Sequence, residues 1–355
     1  MDEKEQKMLE LLPGVRANVV LGDYTTFRIG GYAKYFFAAK TNEDIAKAVR
    51  AAKSVGMPLF VLGGGSNILV SDKGFEGLVL KIETKGIETK ESTAEEVEMS
   101  ACAGENWDEF VSASVEQNLY GLENLSGIPG TVGAAPVQNI GAYGCEVKDT
   151  LSWAEVFNVE TFEFSIKHAA ECEFGYRESI FKKPEGERFI ILRVAFILRK
   201  NGTPRTDYKD VGRYLKEHAI SNPTLPQIRK AILEIRGGKF PDLRIMGTAG
   251  SFFKNPIISE ERYKTLLTRF PELPSYKAAG NSFKIPLAWI LDYVCKIKGI
   301  RKGNVGAFEK QPLVIVNFGG AVADEVKQFV EEIRYDVKEK TGIEVEYEVR
   351  FLGNF

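Results

Sequence analysis

Chemistry in this 355-residue sequence can reside in two glycine-rich stretches and a few polar residues placed beside glycines or aromatics. The first stretch is Gly63-Gly64-Gly65-Ser66-Asn67, set between the apolar runs PLFVL and ILV. The second runs from Asn124 to Cys145, NLSGIPGTVGAAPVQNIGAYGC, twenty-two residues without a formal charge in a chain that is 27% charged. It is long enough to suggest a membrane span. However, Gly127, Gly130, Gly133, Gly141, Gly144, Pro129 and Pro136 would break a spanning helix, and Gln138 and Asn139 sit in its middle. Glycine admits positive φ and close approach to a ligand, and successive N–H groups can cradle an anion such as a pyrophosphate. For both stretches the alternative is a tight, buried turn. Tyr176 and Arg177 stand just after Gly175, where the arginine is either a surface charge or a ligand clamp. Ser251 lies between Gly250 and two phenylalanines, as a proton donor or as a turn cap. Lys239, Arg244 and Lys254 surround it with the positive charge that a phosphorylated substrate needs.

Composition narrows the classes. A net charge of −2 gives no reason to expect nucleic acid or an anionic membrane as partner. The start MDEKEQKMLELLPG is charged and has no export signal. Cys102, Cys145, Cys172 and Cys295 are widely spaced without a CxxC pair, so a reducing compartment is expected, with neither a disulfide framework nor a zinc site. His168 and His218 are the only histidines and lie in charged surroundings, which argues against a histidine triad or a multi-histidine metal centre. A chain of this length is expected to hold two or three domains.

The positioning elements follow from periodicity. Residues 41–56 read as a helix capped by Thr41, with Asp44 completing a near capping box and Gly56 ending it. Strand, glycine turn and strand follow at 58–70, a pattern that is not the GxGxxG of a dinucleotide fold. Residues 82–98 read as a solvated hairpin or loop, 98–103 as a strand, and 106–117 as a helix burying Trp107, Phe110 and Val111. Strand character marks 151–159, 163–166 and 189–198. Helices are expected at 209–218 and 226–236, with a linker bracketed by Pro223 and Pro226. A helix is expected at 286–296, a buried strand at 312–317, and the longest helix at 321–341, with Val322, Val326, Phe329, Val330, Ile333 and Val337 inward and Gly342 as its stop. The tail IEVEYEVRFLG alternates as a half-buried strand, which leaves Glu348 a solvent-facing charge on pattern alone.

Five segments, in order along nearly the whole chain, resemble one family: LGGGSNILV (62–70), GLENLSGIPGTVGAAPVQNIGAYG (121–144), CEFGYRESIF (172–181), GTAGSFFKNP (247–256) and EVEYEVRFLG (344–353). They are similar to the UDP-N-acetylenolpyruvoylglucosamine reductases, the MurB flavoenzymes. The segment TPRTDYKDVGRYL, centred on Tyr208, resembles the tyrosine-loop subtype. The resemblance implies an α+β fold: a two-part FAD-binding unit of the vanillyl-alcohol-oxidase (PCMH) type, then a MurB-type substrate domain. Residues 1–82, joined by 344–355, would form the first FAD-binding part, 83–225 the second, and 226–343 the substrate domain. The implied reaction is NADPH-dependent reduction of the enolpyruvyl ether of UDP-N-acetylglucosamine to UDP-N-acetylmuramate, a cytoplasmic step of peptidoglycan synthesis.

The resemblance also implies roles. The FAD pyrophosphate would lie against the backbone of Gly63, Gly64, Gly65, Ser66 and Asn67, of Pro129, Gly130, Thr131 and Gly133, and of Asn139, Gly141, Ala142, Tyr143 and Gly144. Backbone amides would then suffice for the anion, leaving the cationic side chains to the substrate. Reduced flavin N5 would deliver hydride to C3 of the enolpyruvyl group. Arg177 and Glu348 match the positions that face the substrate carboxylate, with Glu348 protonated, and Ser251 matches the donor of the C2 proton. Tyr176, Tyr208, Lys239, Asn255 and Gln311 match substrate contacts, Lys239 and Tyr208 near the diphosphate. GGGSN offers no histidine or cysteine to tether a flavin, so non-covalent FAD is expected. Two other readings stay open: a sugar or alcohol oxidase on the same FAD-binding fold, and a flavin or nucleotide-sugar module without turnover.

Overall fold

In the computed structural model, which describes residues 3–355, the chain divides into two compact units. Met1 and Asp2, part of the charged start discussed above, lie outside the described residues. Of the described residues, the first unit comprises 3–19, 33–64 and 76–237, and the second 20–32, 65–75 and 238–355.

The first unit is built on two sheets. Arg16–Val20, Tyr32–Ala39, Phe75–Ile82 and Leu59–Leu62 form a four-stranded sheet in that order, with the last two parallel. The helix Asn42–Ser54 starts as its sequence predicts. Thr41 accepts from the Asp44 N–H at 3.1 Å and the Asp44 carboxylate accepts from the Thr41 N–H at 3.1 Å, a complete capping box. Its apolar face (Ile45, Val49, Ala52) packs with Leu78, Leu80 and Ile82. The second sheet is antiparallel, ordered Phe164–His168, Leu151–Asn158, Phe189–Arg199, Glu96–Cys102 and Ile87–Glu91. The last strand is exposed throughout and pairs with Glu96–Cys102, so of the hairpin or loop expected over 82–98 the hairpin forms, with Ile82, Thr84 and Val97 buried. Asn106 caps the helix Trp107–Glu116, which sets Trp107 and Phe110 against Phe196 with centroids 5.8 and 5.4 Å apart. Trp107 and Phe110 are fully buried.

In the second unit the strands Gly247–Ser251, Val314–Asn317, Val305–Ala307 and Arg301–Lys302 form a sheet in that order. The helix Ala323–Thr341 buries Val326, Phe329, Val330, Ile333 and Val337 and ends at Gly342, whose φ of +66° is the left-handed stop that glycine accepts. Arg350–Leu352 pairs in parallel with Ile68–Val70.

Several boundaries differ from the sequence reading. Val322 is 45% exposed, because the long helix begins at Ala323, two residues later than read, and Val322 is its cap rather than part of its apolar stripe. The helix expected at 286–296 is a single α-turn, Leu287–Trp289, followed by a π-helical turn, Ile290–Val294, whose wider winding still buries Leu287, Ile290 and Leu291. The tail alternates in burial at Ile343, Val345 and Val349, yet only Arg350–Leu352 is ladder strand, with Tyr347 held by an isolated bridge to Phe253. The helix Glu3–Leu11 and the strand Gly247–Ser251 were not anticipated. Residues 20–32 and 65–75 pack with the C-terminal part rather than with the first FAD-binding part. The boundary expected at 225/226 also moves, since Leu225–Gly237 belongs to the first unit. Its Ile228 and Ile232 pack with Tyr143, Val211 and Leu215. Arg229 donates to both Asp108 carboxylate oxygens at 2.6 and 2.9 Å, and Arg236 Nε donates to the Gly127 carbonyl at 3.0 Å. Among the described residues, no helix is long and apolar enough to cross a membrane.

Burial alone would raise the Asp108 pKa, but the Arg229 hydrogen bond and the Gly127 N–H outweigh it and hold the carboxyl below its usual range. The ion pair therefore stabilises the fold above the unfolded-state carboxylate pKa, and the effect fades as pH falls through the depressed folded value. Asp108→Asn should lower stability by about 1–2 kcal/mol near neutral pH, read from urea midpoints, and the gap from wild type should close below about pH 4. Equal midpoints at neutral pH would refute this anchoring of the helix.

Candidate active site

The two glycine stretches meet in the first unit. A Cβ on Gly64 would stand 2.6 Å from Gly130 Cα, and one on Gly63 would stand 2.8 Å from Thr131 Oγ1. Both are closer than a Cβ tolerates: at Gly64 backbone lies directly on backbone, and at Gly63 the Thr131 hydroxyl takes the space. The second stretch is stitched to its sheet by the Val132 N–H to Glu105 carbonyl and Gly133 N–H to Ala103 carbonyl bonds, both 2.9 Å. A Cβ on Gly133 would meet Ala103 Cβ at 2.4 Å. These glycines make a close-packed cradle in which the two stretches meet, and their lack of side chains permits the close approach that a diphosphate-bearing cofactor needs. Lys81 joins it: its ammonium donates to the Gly63 carbonyl. Sequence reasoning passed over this residue, although a lone lysine in the otherwise apolar run LVLKI was a signal.

Residues 139–146 carry the Arg177 loop. Asn139 Nδ2 donates to the Gly175 carbonyl and to Glu146 Oε2, both at 2.9 Å. Arg177 Nη2 donates to the Gly141 carbonyl at 2.8 Å, and Ser179 Oγ to the Val137 carbonyl at 2.5 Å. Gly141 must lack a side chain, since a Cβ would stand 2.8 Å from Glu146 Cγ and 3.2 Å from Arg177 Nη1. Arg177, Asn139 and Tyr143 all hold positive φ, at 56°, 44° and 49°. For arginine and tyrosine this costs about 1 kcal/mol each, of the sort found at functional sites. Tyr176 lies beside Arg177, with the guanidinium carbon 5.6 Å from the ring centroid. Tyr208 sets its ring edge-on to Tyr143, centroids 5.3 Å apart, and Asn124 Nδ2 ties the Tyr143 carbonyl to the Arg205 carbonyl at 2.9 and 3.0 Å. Burial raises the Tyr143 phenol pKa against the opposing pull of Arg236.

The second unit gathers the other expected residues. Ser251 follows a bulge in its strand: Thr248 pairs with Val316 but Ser251 with Val314, and Gly250 takes a φ of +79° between them. A bulge of this kind re-aims the side chain that follows it. Phe252 and Phe253 are buried, and their backbone binds the tail. The Glu348 N–H donates to the Phe252 carbonyl and the Lys254 N–H to the Glu346 carbonyl, each at 2.9 Å. Ser251 and Glu348, both half-buried, therefore lie on adjacent backbone runs. Asn67, at the end of GGGSN, donates through Nδ2 to the Glu348 carbonyl at 3.0 Å, and the Arg350 N–H returns to the Asn67 carbonyl at 3.1 Å. Asn255 Oδ1 accepts from the Leu287 N–H at 2.9 Å, so this residue also anchors a helix start. Gln311 sits in the turn entering the strand Val314–Asn317, and Lys239 is half-buried near the start of the C-terminal run. Tyr176, Arg177 and Tyr208 thus belong to the first unit, and Lys239, Ser251, Asn255, Gln311 and Glu348 to the second.

Comparison with known proteins gives the arrangement its context. Residues 33–160 match the FAD binding domain family, and residues 242–352 match the family described as UDP-N-acetylenolpyruvoylglucosamine reductase, C-terminal domain. The chain is 40% identical over 338 residues to the UDP-N-acetylenolpyruvoylglucosamine reductase of Chromobacterium violaceum, covering 95% of this chain and 98% of that protein. The same identity holds over 328 residues with the reductase of that name from Pseudomonas aeruginosa, at 92% and 96% coverage. A crystal structure titled as the reductase (MurB) from Thermus caldophilus is similar with a TM-score of 0.65 at 26% identity, over 96% of this chain and all of that one. With an FAD-binding part, the family's C-terminal domain and a glycine cradle that fits the cofactor, this chain is an FAD-dependent oxidoreductase belonging to the UDP-N-acetylenolpyruvoylglucosamine reductase family.

Proposed function

We propose that this protein uses NADPH to reduce the enolpyruvyl ether of UDP-N-acetylglucosamine to UDP-N-acetylmuramate, with FAD held non-covalently, as a cytoplasmic step of peptidoglycan synthesis. The observation that carries the reading is the joining of Ser251 and Glu348 through the 2.9 Å bond from the Glu348 N–H to the Phe252 carbonyl, with Asn67 of the first glycine run on the Glu348 carbonyl. An acid and a hydroxyl fixed on one backbone frame suit protonation beside a carboxylate.

Bound FAD, once reduced by NADPH, supplies the hydride that adds to C3 of the enolpyruvyl group. The residues of the chain manage the electron pair left at C2. Arg177 and Glu348 stabilise the negative charge as it spreads onto the substrate carboxylate, aimed at where charge develops. Glu348 does this as a neutral carboxylic acid donating a hydrogen bond, since a second carboxylate would repel the developing charge. Ser251 gives its hydroxyl proton to C2, completing addition of two hydrogens across the double bond, and is reprotonated from solvent. Tyr176, Tyr208, Lys239, Asn255 and Gln311 hold the nucleotide sugar, Lys239 and Tyr208 at its diphosphate.

Protein reconstituted with FAD should be bleached by NADPH and recover its yellow colour when the enolpyruvyl nucleotide sugar is added without oxygen. Reduced flavin that this substrate cannot reoxidise would overturn the proposal. Ser251→Ala should keep the NADPH half-reaction while slowing reoxidation by about 10²–10⁴-fold in stopped flow. Equal losses in both halves would remove Ser251 from the acid role. Glu348→Gln, which keeps a neutral donor, should reoxidise within about tenfold of wild type, whereas Glu348→Ala should lose about a hundredfold. Matching losses in the two variants would rule out a neutral hydrogen-bond donor at this position.

A further inference from the structure

The glycine cradle is not purely backbone. Lys81 lies at the end of the strand Phe75–Ile82, in register with Leu62, so its side chain emerges one residue before the glycine turn begins. Its strand neighbours Leu78, Val79, Leu80 and Ile82 are all buried, and this lone cation interrupts an otherwise apolar run. The ammonium donates to the Gly63 carbonyl, at the point where a Cβ on Gly63 would collide with Thr131 of the second glycine stretch. One carbonyl satisfies only one of its three donors. A partly buried ammonium facing a neutral acceptor is a costly arrangement that an anion would relieve. Glu83 and Lys85 are the charged groups near it, and they act on it in opposite directions. Burial is the larger influence and lowers the Lys81 pKa, the signature of a charge with too little local compensation.

We propose that Lys81 binds the diphosphate of the FAD cofactor, supplying the fixed positive charge that the uncharged Gly63–Asn67 and Asn124–Cys145 stretches lack. This amends the expectation that backbone amides alone hold the anion. It rests on the family's use of FAD and adds a residue to that site. The lysine performs two tasks through one group: it fixes the Gly63 carbonyl away from the anion and presents its remaining N–H donors toward it. Lysine suits this position because a compact ammonium acts as a point charge toward phosphate oxygens.

The test compares FAD with riboflavin, which carries the same ring system without the diphosphate, by fluorescence titration of the apoprotein. Lys81→Met should weaken FAD binding by at least about tenfold while leaving riboflavin binding within about twofold of wild type. It should also flatten the dependence of FAD affinity on salt, and Lys81→Arg should restore most of both. Unchanged FAD affinity in Lys81→Met would overturn the proposal. So would equal losses for FAD and riboflavin, which would make Lys81 only a brace for the turn. Thermal unfolding of each apoprotein identifies a variant that fails to fold. In that event Lys81→Gln is titrated instead, with the same outcomes deciding. Wild-type protein that takes up no FAD would overturn the cofactor assignment itself, a result separate from any effect of the substitution.

Discussion

Everything in the first unit depends on two main chains meeting where neither can carry a side chain. Gly64 approaches Gly130 so closely that one added carbon would lie 2.6 Å from the opposing Cα. Backbone in such contact must have its hydrogen bonds satisfied elsewhere, and it does. The Gly130 carbonyl accepts from the Trp107 N–H at 3.1 Å, and the residues that follow bond back to Glu105 and Ala103. The loop is thereby attached to the start of the helix that buries Trp107, and through Ala103, whose N–H reaches the Leu192 carbonyl, to the centre of the five-stranded sheet. The absence of charge over twenty-two residues is a condition of this arrangement, because a charged side chain in such tight packing would be stranded without water.

In the second unit the same problem is solved with aromatics. Phe252 and Phe253 are buried against Tyr347 and Phe351, with centroids 4.9–6.1 Å apart among the four rings. These rings fix the chain on either side of the polar residues that flank them, Ser251 and Glu348, and the Glu348 backbone is further tied by its N–H to the Phe252 carbonyl and by its carbonyl to Asn67. In the roles proposed for Ser251 and Glu348, such rigid support would serve precise placement against a developing charge.

Much of this was legible in the sequence, where local rules suffice. The capping box at Thr41, the helix at 106–117, the strands rich in β-branched and aromatic residues at 151–159 and 189–198 and the Gly342 stop depend on a few neighbouring residues, and the fold agrees. What was not legible depends on distant partners. The helix Leu225–Gly237 lies in the first unit with partners that include Asp108, Gly127 and Tyr143, each far away in sequence. The tail alternates as a strand should, yet most of it forms no ladder, since burial pattern reports a face and not a hydrogen-bonding neighbour. The motif positions and the lone lysine of LVLKI were readable, whereas the bulge that re-aims Ser251 and the bond of that lysine to Gly63 were not, because each is a relation between two segments.

The Arg177 loop shows how such relations become chemistry. Arginine at a φ of 56° is a conformation that only its surroundings maintain, and those surroundings are the expected flavin-contact residues themselves. Asn139 grips the Gly175 carbonyl from one side, Arg177 grips Gly141 from the other, and Ser179 fastens the end of the loop to Val137. A displacement of residues 137–144 therefore displaces the guanidinium with them. In the proposed reaction, the hydride donor and Arg177 would have to keep a constant separation for addition and charge stabilisation to coincide. Bonds spanning 36 to 42 residues of sequence couple the arginine to the expected flavin-contact loop in this way. The local strain is the energetic cost of this coupling, of order 1 kcal/mol per residue, small beside the several kcal/mol that a correctly aimed positive charge contributes to an anionic transition state.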